Sequence, residues 1–158
     1  MQHWLLKSEP DAFSIDDLKA KKISMWDGVR NYQARNFMKD KMQVGDLAFF
    51  YHSNAKPAPH IAGIIKINSK TYPDPTQFDP KSKYFDEKST EANPRWWLID
   101  VKFIEKFKEP IYLSELKSNK KLKDMMLLQK GSRLSIQPVS LEEWNVILDK
   151  LPNVKNLT

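Results

Sequence analysis

The chain has 158 residues, 41% hydrophobic and 11% aromatic, which suits one globular domain burying about 70% of its extended-chain surface. It has no cysteine, which excludes disulfides, thiolate nucleophiles and Cys-ligated zinc or iron–sulfur centres. The formal charge of +6 favours a polyanionic partner, and nucleic acid is the commonest one in a cell. His3, His52 and His60 show no H-x-x-x-H spacing, so no metal site and no cofactor are expected. The longest apolar runs, LAFFY and IAGII, are too short to cross a bilayer, and MQHWLLKSEP lacks the basic and apolar regions of a signal peptide. The expectation is a soluble protein with no membrane partner.

HWLLK reads as a short buried strand ending at Lys7. Ser14 then starts a helix, with Asp17 at the capping-box position and Leu18 pointing inward. After the WDG turn, Ala34, Phe37, Met38 and Met42 fall at helical spacing, which leaves Tyr32, Arg35, Asn36 and Lys39 on the other side. LAFFYHSN and HIAGIIKI are two further strands. Residues 68 to 94, with four prolines and two Asp-Pro pairs, form the longest irregular stretch; the Asp-Pro pairs read as turn formers. RWWLIDVKFIEKF alternates, with Trp97, Ile99, Val101 and Phe103 on one face. Past Pro110, LSELK and LKDMMLL suggest short helices, RLSIQPV a strand closed by Pro138, and SLEEWNVILDKL a helix capped by Ser140 and Glu143. That last helix is expected to bury Leu141, Trp144, Leu148 and Leu151. Strands broken by short helices, without βαβ alternation, predict an α+β domain on a small, largely antiparallel, barrel-like sheet.

Catalytic signatures are scarce. There is no phosphate loop, no nucleophile elbow and no isolated pair of carboxylates in apolar context. One cluster, Lys7, Ser8 and Glu9 at the end of the first strand, has the residue types for acid–base or nucleophilic work. The same three residues also suit a solvated lysine and a capped turn.

The stretch WDGVRNYQARNFM, residues 26–38, is more informative. Only four of the twenty-six basic residues are Arg, and two of them, Arg30 and Arg35, lie here beside Trp26, Asn31 and Tyr32. A tryptophan face can hold a nucleobase for about 1–3 kcal/mol, an amide can pair with a base edge, and a guanidinium can fork onto phosphate. Taking a base out of a duplex costs a few kcal/mol, which a deep aromatic pocket can offset. The alternative is structural: Trp26 in the core, Tyr32 packed on a strand, Asn31 as helix cap, and the arginines paired with Asp27 or Asp40. The residues alone leave both open.

WDGVRNYQARNFM is very similar to the signature of the EVE domain family. WLLKSEP, GDLAFFYHSN, IAGIIKI, YPDPTQFD, NPRWWLIDVKF and RLSIQPVSLEEW occur in the same order as in that family. The likeness covers nearly the whole chain, so residues 1–158 are expected to form a single such domain, most similar to the thymocyte nuclear protein type. The resemblance implies a PUA-like small β-barrel with short helices packed around it. It also implies a reader of modified bases, notably methylated or hydroxymethylated cytosine in DNA, with modified RNA as a further carrier.

Carried onto this chain, the resemblance puts a base pocket at Lys7, Ser8 and Glu9, at Trp26 and the turn that follows it with Asn31 and Tyr32 beyond, and at His52, Ser53 and Asn54. Trp26 would be the stacking platform, and Glu9 or Asn54 would read the polar edge of the base. Tyr32, Tyr51 and Trp97 are eligible as a second aromatic wall. Arg30, Arg35, Lys39 and Arg133 would hold phosphate. The vertebrate members carry a basic N-terminal extension that directs them to the nucleus; this chain starts at the first strand, so a cytoplasmic monomer is expected.

Two other readings stay open. ASCH relatives include amidohydrolases that use a Lys, a hydroxyl residue and a Glu, the kinds of residue at 7 to 9. Neighbouring strand residues point to opposite sides, so these three can face one substrate only with a bend at Pro10. A plain RNA-binding module would bind with strong salt dependence and no base preference.

Overall fold

The structure, a computed structural model, describes residues 1–151. Strands β1 (His3–Ser8), β2 (Ile23–Met25), β3 (Leu47–His52), β4 (His60–Ile67), β7 (Asp100–Tyr112) and β8 (Ile136–Val139) form one sheet in the order β2-β7-β4-β3-β1-β8. The sheet is antiparallel except for the β1–β3 pair, which runs parallel from His3↔Leu47 to Ser8↔His52. A two-residue ribbon, β5 (Tyr72–Pro73) against β6 (Trp97–Leu98), stands apart from it.

The central strands are apolar on both faces because both faces are covered. Leu5, Phe49 and Tyr51 point into one core, closed by α3 (Leu113–Ser118) and by Trp144 and Ile147 of α4 (Leu141–Leu148). Trp4, Leu6 and Phe50 point into a second, closed by α1 (Ile15–Lys21), α2 (Tyr32–Asn36) and the π-helical turn Phe37–Lys41. A half-solvated sheet would read as alternating; LAFFY is a continuous run because neither face meets water.

Local signals hold at the helix starts. Ser14 Oγ accepts from Asp17 N at 3.1 Å and Asp17 Oδ2 from Ser14 N at 2.9 Å; Ser140 and Glu143 repeat this at 3.1 and 2.9 Å.

Elsewhere tertiary context differs from the pattern. Leu141, the first residue of α4, is 57% exposed, and the buried stripe is Trp144, Ile147 and Leu148. Pro110 does not end its strand: β7 runs on to Tyr112, and Pro110 lies in a bulge where Lys106↔Gly63 is followed by Ile111↔Ile61. At Gly63 the sheet closes so tightly that an added Cβ would meet Glu105 O at 2.2 Å. The stretch 120–128 forms two 3-10 turns, Lys120–Leu122 and Met126–Leu128, rather than a helix. Trp96, not Trp97, is the buried indole, since the chain breaks at Ile99 between two separate sheets.

A pair of histidines ties α1 to the sheet. His52 Nε2 accepts from Ile15 N at 3.1 Å, which fixes the proton on Nδ1, 3.0 Å from His60 Nε2. His60 Nδ1 in turn donates to Ala58 O at 2.8 Å. Burial, followed by the neighbouring His60, lowers the His52 pKa to about 4. The folded chain therefore binds fewer protons than the unfolded chain, and this stability is complete above pH 6.5 and lost as pH falls towards 4. Urea titrations at pH 7.5 and 5 should differ by about 2 kcal/mol from this group. In His52→Gln this contribution should disappear and the difference between the two pH values should shrink.

Candidate functional site

Strand β1 ends at Ser8, and the chain turns because Ala12 N and Phe13 N both donate to Glu9 O, at 3.0 and 2.9 Å. This turn brings Lys7, Ser8 and Glu9 to the border of one cavity, despite their alternation along the strand. The cavity, about 530 Å³, opens between the sheet's two edges: Ser24 and Met25 of β2 face it from one side and Ser135, just before β8, from the other. Lys7 N donates to Ser135 O at 2.8 Å, and Trp26 N to Ile99 O at 2.9 Å, so the sheet fixes both walls. Residues Trp26 to Arg30 complete one wall, and Lys83 and Tyr84 arrive from the irregular stretch.

Trp26 is core and wall at once. Only 7% exposed, it meets Phe50 edge-on at 5.4 Å and Phe13 at 6.3 Å, and still lines the cavity. The scarce arginines belong to a stacked column. The Arg30 guanidinium carbon lies 5.4 Å from both the Tyr84 and the Trp96 ring centres. Trp96 stacks on Tyr32 at 4.9 Å and 25°, and Arg35 covers Tyr32 at 4.7 Å. Lys83 caps the other end, 5.0 Å over Tyr84. These spacings are those of cation–π contacts, which strengthen as the cation loses water.

Asp74 organises the column. Fully buried, it accepts from Gly28 N at 2.9 Å, Arg30 Nη1 at 3.1 Å, and Thr76 N and Oγ1 at 2.8 and 2.6 Å. Gln77, also fully buried, donates to Asp74 O and Trp96 O and accepts from the backbone of Arg95 and Trp96. The proline-rich stretch is thus a clasp that holds the WDG turn, not a slack loop.

Two polar walls of the cavity are pushed toward their uncharged forms. The Asp27 carboxyl is raised above the usual carboxylate range by desolvation and then by Asp74, against the opposing pull of Arg30. The Lys7 ammonium is lowered by burial.

Of the residues expected at a base pocket, the structure brings Lys7, Ser8, Glu9 and Trp26 together around the cavity. Asn31 caps α2, its Oδ1 accepting from Ala34 N at 3.0 Å. Tyr32 is 52% exposed within the column. His52 belongs to the histidine pair, Ser53 N donates to Ser8 O at 3.0 Å, and Asn54 holds a left-handed turn at φ 51°. None of these five lines the cavity, and neither do Tyr51 and Trp97.

Of the expected phosphate ligands, Arg30 is turned inward onto Asp74, 44 residues away, rather than onto Asp27. Arg35 donates to Arg95 O and Asn36 Oδ1, and Lys39 sits 4.8 Å over Trp97. Arg133 is exposed, two residues from Ser135. Sequence reasoning missed Phe13, Lys83 and Tyr84 as wall residues. The YPDPTQFD motif was the available signal for the clasp.

The family model described as EVE domain matches residues 2–150. Human thymocyte nuclear protein 1 is 47% identical over 165 residues, covering 92% of this chain and 72% of that protein. A crystal structure of a Pseudomonas syringae protein superposes with a TM-score of 0.90 at 51% identity, covering 94% of this chain and 98% of that one. The human protein in complex with 5-methylcytosine-containing DNA superposes at 0.88 with 46% identity, covering 95% and 97%. The arrangement is the PUA-like α+β fold, a curled sheet with short helices packed on it. This chain belongs to the EVE domain family.

Proposed function

We propose that this protein binds nucleic acid and accepts a flipped modified base, of the methylated or hydroxymethylated cytosine kind, in the cavity beneath the WDG turn. The observation that carries the reading is the cavity's chemistry: aromatic walls from Phe13, Trp26 and Tyr84 joined to the partly desolvated polar groups of Asp27 and Lys7. Its volume is within the range of small-molecule sites and admits a nucleoside. The human relative's complex with 5-methylcytosine-containing DNA supports the same reading. On this reading Tyr84 and Trp26 bound the base ring, and the Asp27 side chain faces its exocyclic amine, which pairs with a carboxylate oxygen.

The test is fluorescence anisotropy on short oligonucleotides carrying cytosine, 5-methylcytosine, 5-hydroxymethylcytosine or methylated adenine. One base should be preferred. Asp27→Asn should weaken that preferred oligonucleotide by tenfold or more while leaving the unmodified one within twofold, in line with about 1–3 kcal/mol for a base-edge contact. Asp27→Asn is the better probe than Trp26→Ala, because removing a core indole costs about 3–5 kcal/mol of stability. Equal binding of all four, lost equally with salt, would reduce the protein to a plain nucleic-acid-binding surface.

A second reading is an amidohydrolase acting on a modified nucleoside, favoured by the turn that brings Lys7, Ser8 and Glu9 to one cavity. Against it, Ser8 Oγ already donates to Phe13 O at 2.7 Å and is not poised as a nucleophile. Release of cytidine from an N4-acylated nucleoside, abolished in Lys7→Met, would establish the enzyme.

A further inference from the structure

The chain's positive charge is not spread over it. Residues 117–133 hold six basic residues (Lys117, Lys120, Lys121, Lys123, Lys130 and Arg133) against one acid, Asp124, and so carry +5 of the total +6. The other 141 residues are nearly balanced, with twenty basic and nineteen acidic. All six cations are exposed, and none forms an ion pair with a described residue; the described pairs are Arg30–Asp74, Arg95–Asp86 and Lys106–Asp16.

The segment carrying them is firmly seated. Leu116, Leu122, Met125 and Leu127 are buried in the core that α4 closes, and Gln129 Nε2 donates to Lys123 O and Met125 O at 3.0 and 3.1 Å. Cations held on a fixed backbone lose less conformational freedom on binding than cations on a loose tail. The segment also runs straight into the cavity wall: Arg133 is followed two residues later by Ser135, whose carbonyl holds Lys7 N.

We infer that residues 117–133 are the surface along which the phosphodiester backbone of the bound nucleic acid runs once it leaves the cavity. This rests on the base-reading proposal, but it assigns phosphate contact to the 117–133 lysines. In the 26–38 stretch, Arg30 and Arg35 are engaged within the column. Unpaired, exposed cations are the groups that release counterions when they meet phosphate, at a slope of about 0.9 per contact for duplex DNA.

The experiment compares wild type with Lys120→Gln, Lys121→Gln, Lys123→Gln combined, and separately with Lys130→Gln, Arg133→Gln. Binding of duplexes with and without 5-methylcytosine is measured across salt, alongside binding of the free nucleoside 5-methyldeoxycytidine. Thermal midpoints should not move, since these side chains are exposed. At least one variant should lose duplex affinity tenfold or more, equally for both duplexes, with a salt slope shallower by two or more. Nucleoside binding should be unchanged. Unaltered slopes in both variants would overturn the inference. A retained duplex slope with lost binding to phosphatidylserine vesicles would also overturn it, assigning the surface to a membrane. If the slope falls but no nucleoside binds to the wild type, the phosphate surface stands and the base-reading proposal fails.

Discussion

Asp74→Ala should lower stability by about 3 kcal/mol in urea denaturation and abolish any base preference. The substitution removes one partner of a buried ion pair, a change that costs about 3–5 kcal/mol; Arg30 keeps some access to water, which sets the lower end. It also orphans Gly28 N, Thr76 N and the Thr76 hydroxyl in one step. Arg30 then keeps its hydrogen bonds to Tyr84 O, Val29 O and Thr76 Oγ1 but loses its carboxylate partner, while the WDG turn loses its hold at Gly28 N. Asp74→Asn keeps the size and some hydrogen bonds, so it should fall between. If Asp74→Ala unfolds at the wild-type urea midpoint, the clasp described above is not what holds the WDG turn.

Gly28→Ala tests the same wall from the other side. Gly28 has φ 79°, a left-handed conformation that costs an L-residue about 1–2 kcal/mol. An added Cβ would also lie 2.4 to 2.8 Å from three carbons of the Tyr84 ring, so the ring must leave. The expected result is a stability loss of about 2–3 kcal/mol and at least a tenfold loss of affinity for the preferred oligonucleotide. A double-mutant cycle separates the two causes. In a Tyr84→Ala background the steric part vanishes, and Gly28→Ala should cost only the backbone part. Additivity of the two substitutions would show that the ring does not rest on Gly28.

These expectations also mark what the sequence could and could not disclose. Ser14 with Asp17, Ser140 with Glu143, and Asn31 as helix cap were legible, because a cap is a contact between residues three apart. Strand positions were legible from apolar runs. Leu141 was misread because a first-turn residue can satisfy a helical period and still face water. That Lys7 to Glu9 and Trp26 border one cavity was implied by family likeness rather than by spacing.

The clasp was the least legible part. Asp74 reaches Gly28 across 46 residues, and Tyr84 O accepts from Arg30 across 54. No periodicity encodes such a contact, and a stretch rich in Pro and Asp looks the same whether it hangs free or is pinned by a buried carboxylate. Of the two open readings of Trp26, its burial fits the core one, and its place in the cavity wall is what the proposed base platform requires.

Strand β1 lies between β3 and β8, bonding from His3 to Leu47 on one side and to Val139 on the other. Among the described residues, the first strand to be synthesised therefore waits for the last. Until then Lys7 N has no Ser135 carbonyl to donate to, and the cavity lacks its Ser135 wall. Vectorial synthesis thus yields a nascent chain with one open sheet edge for most of its length, a state prone to pairing with neighbouring chains. The cavity can close only when β8 docks.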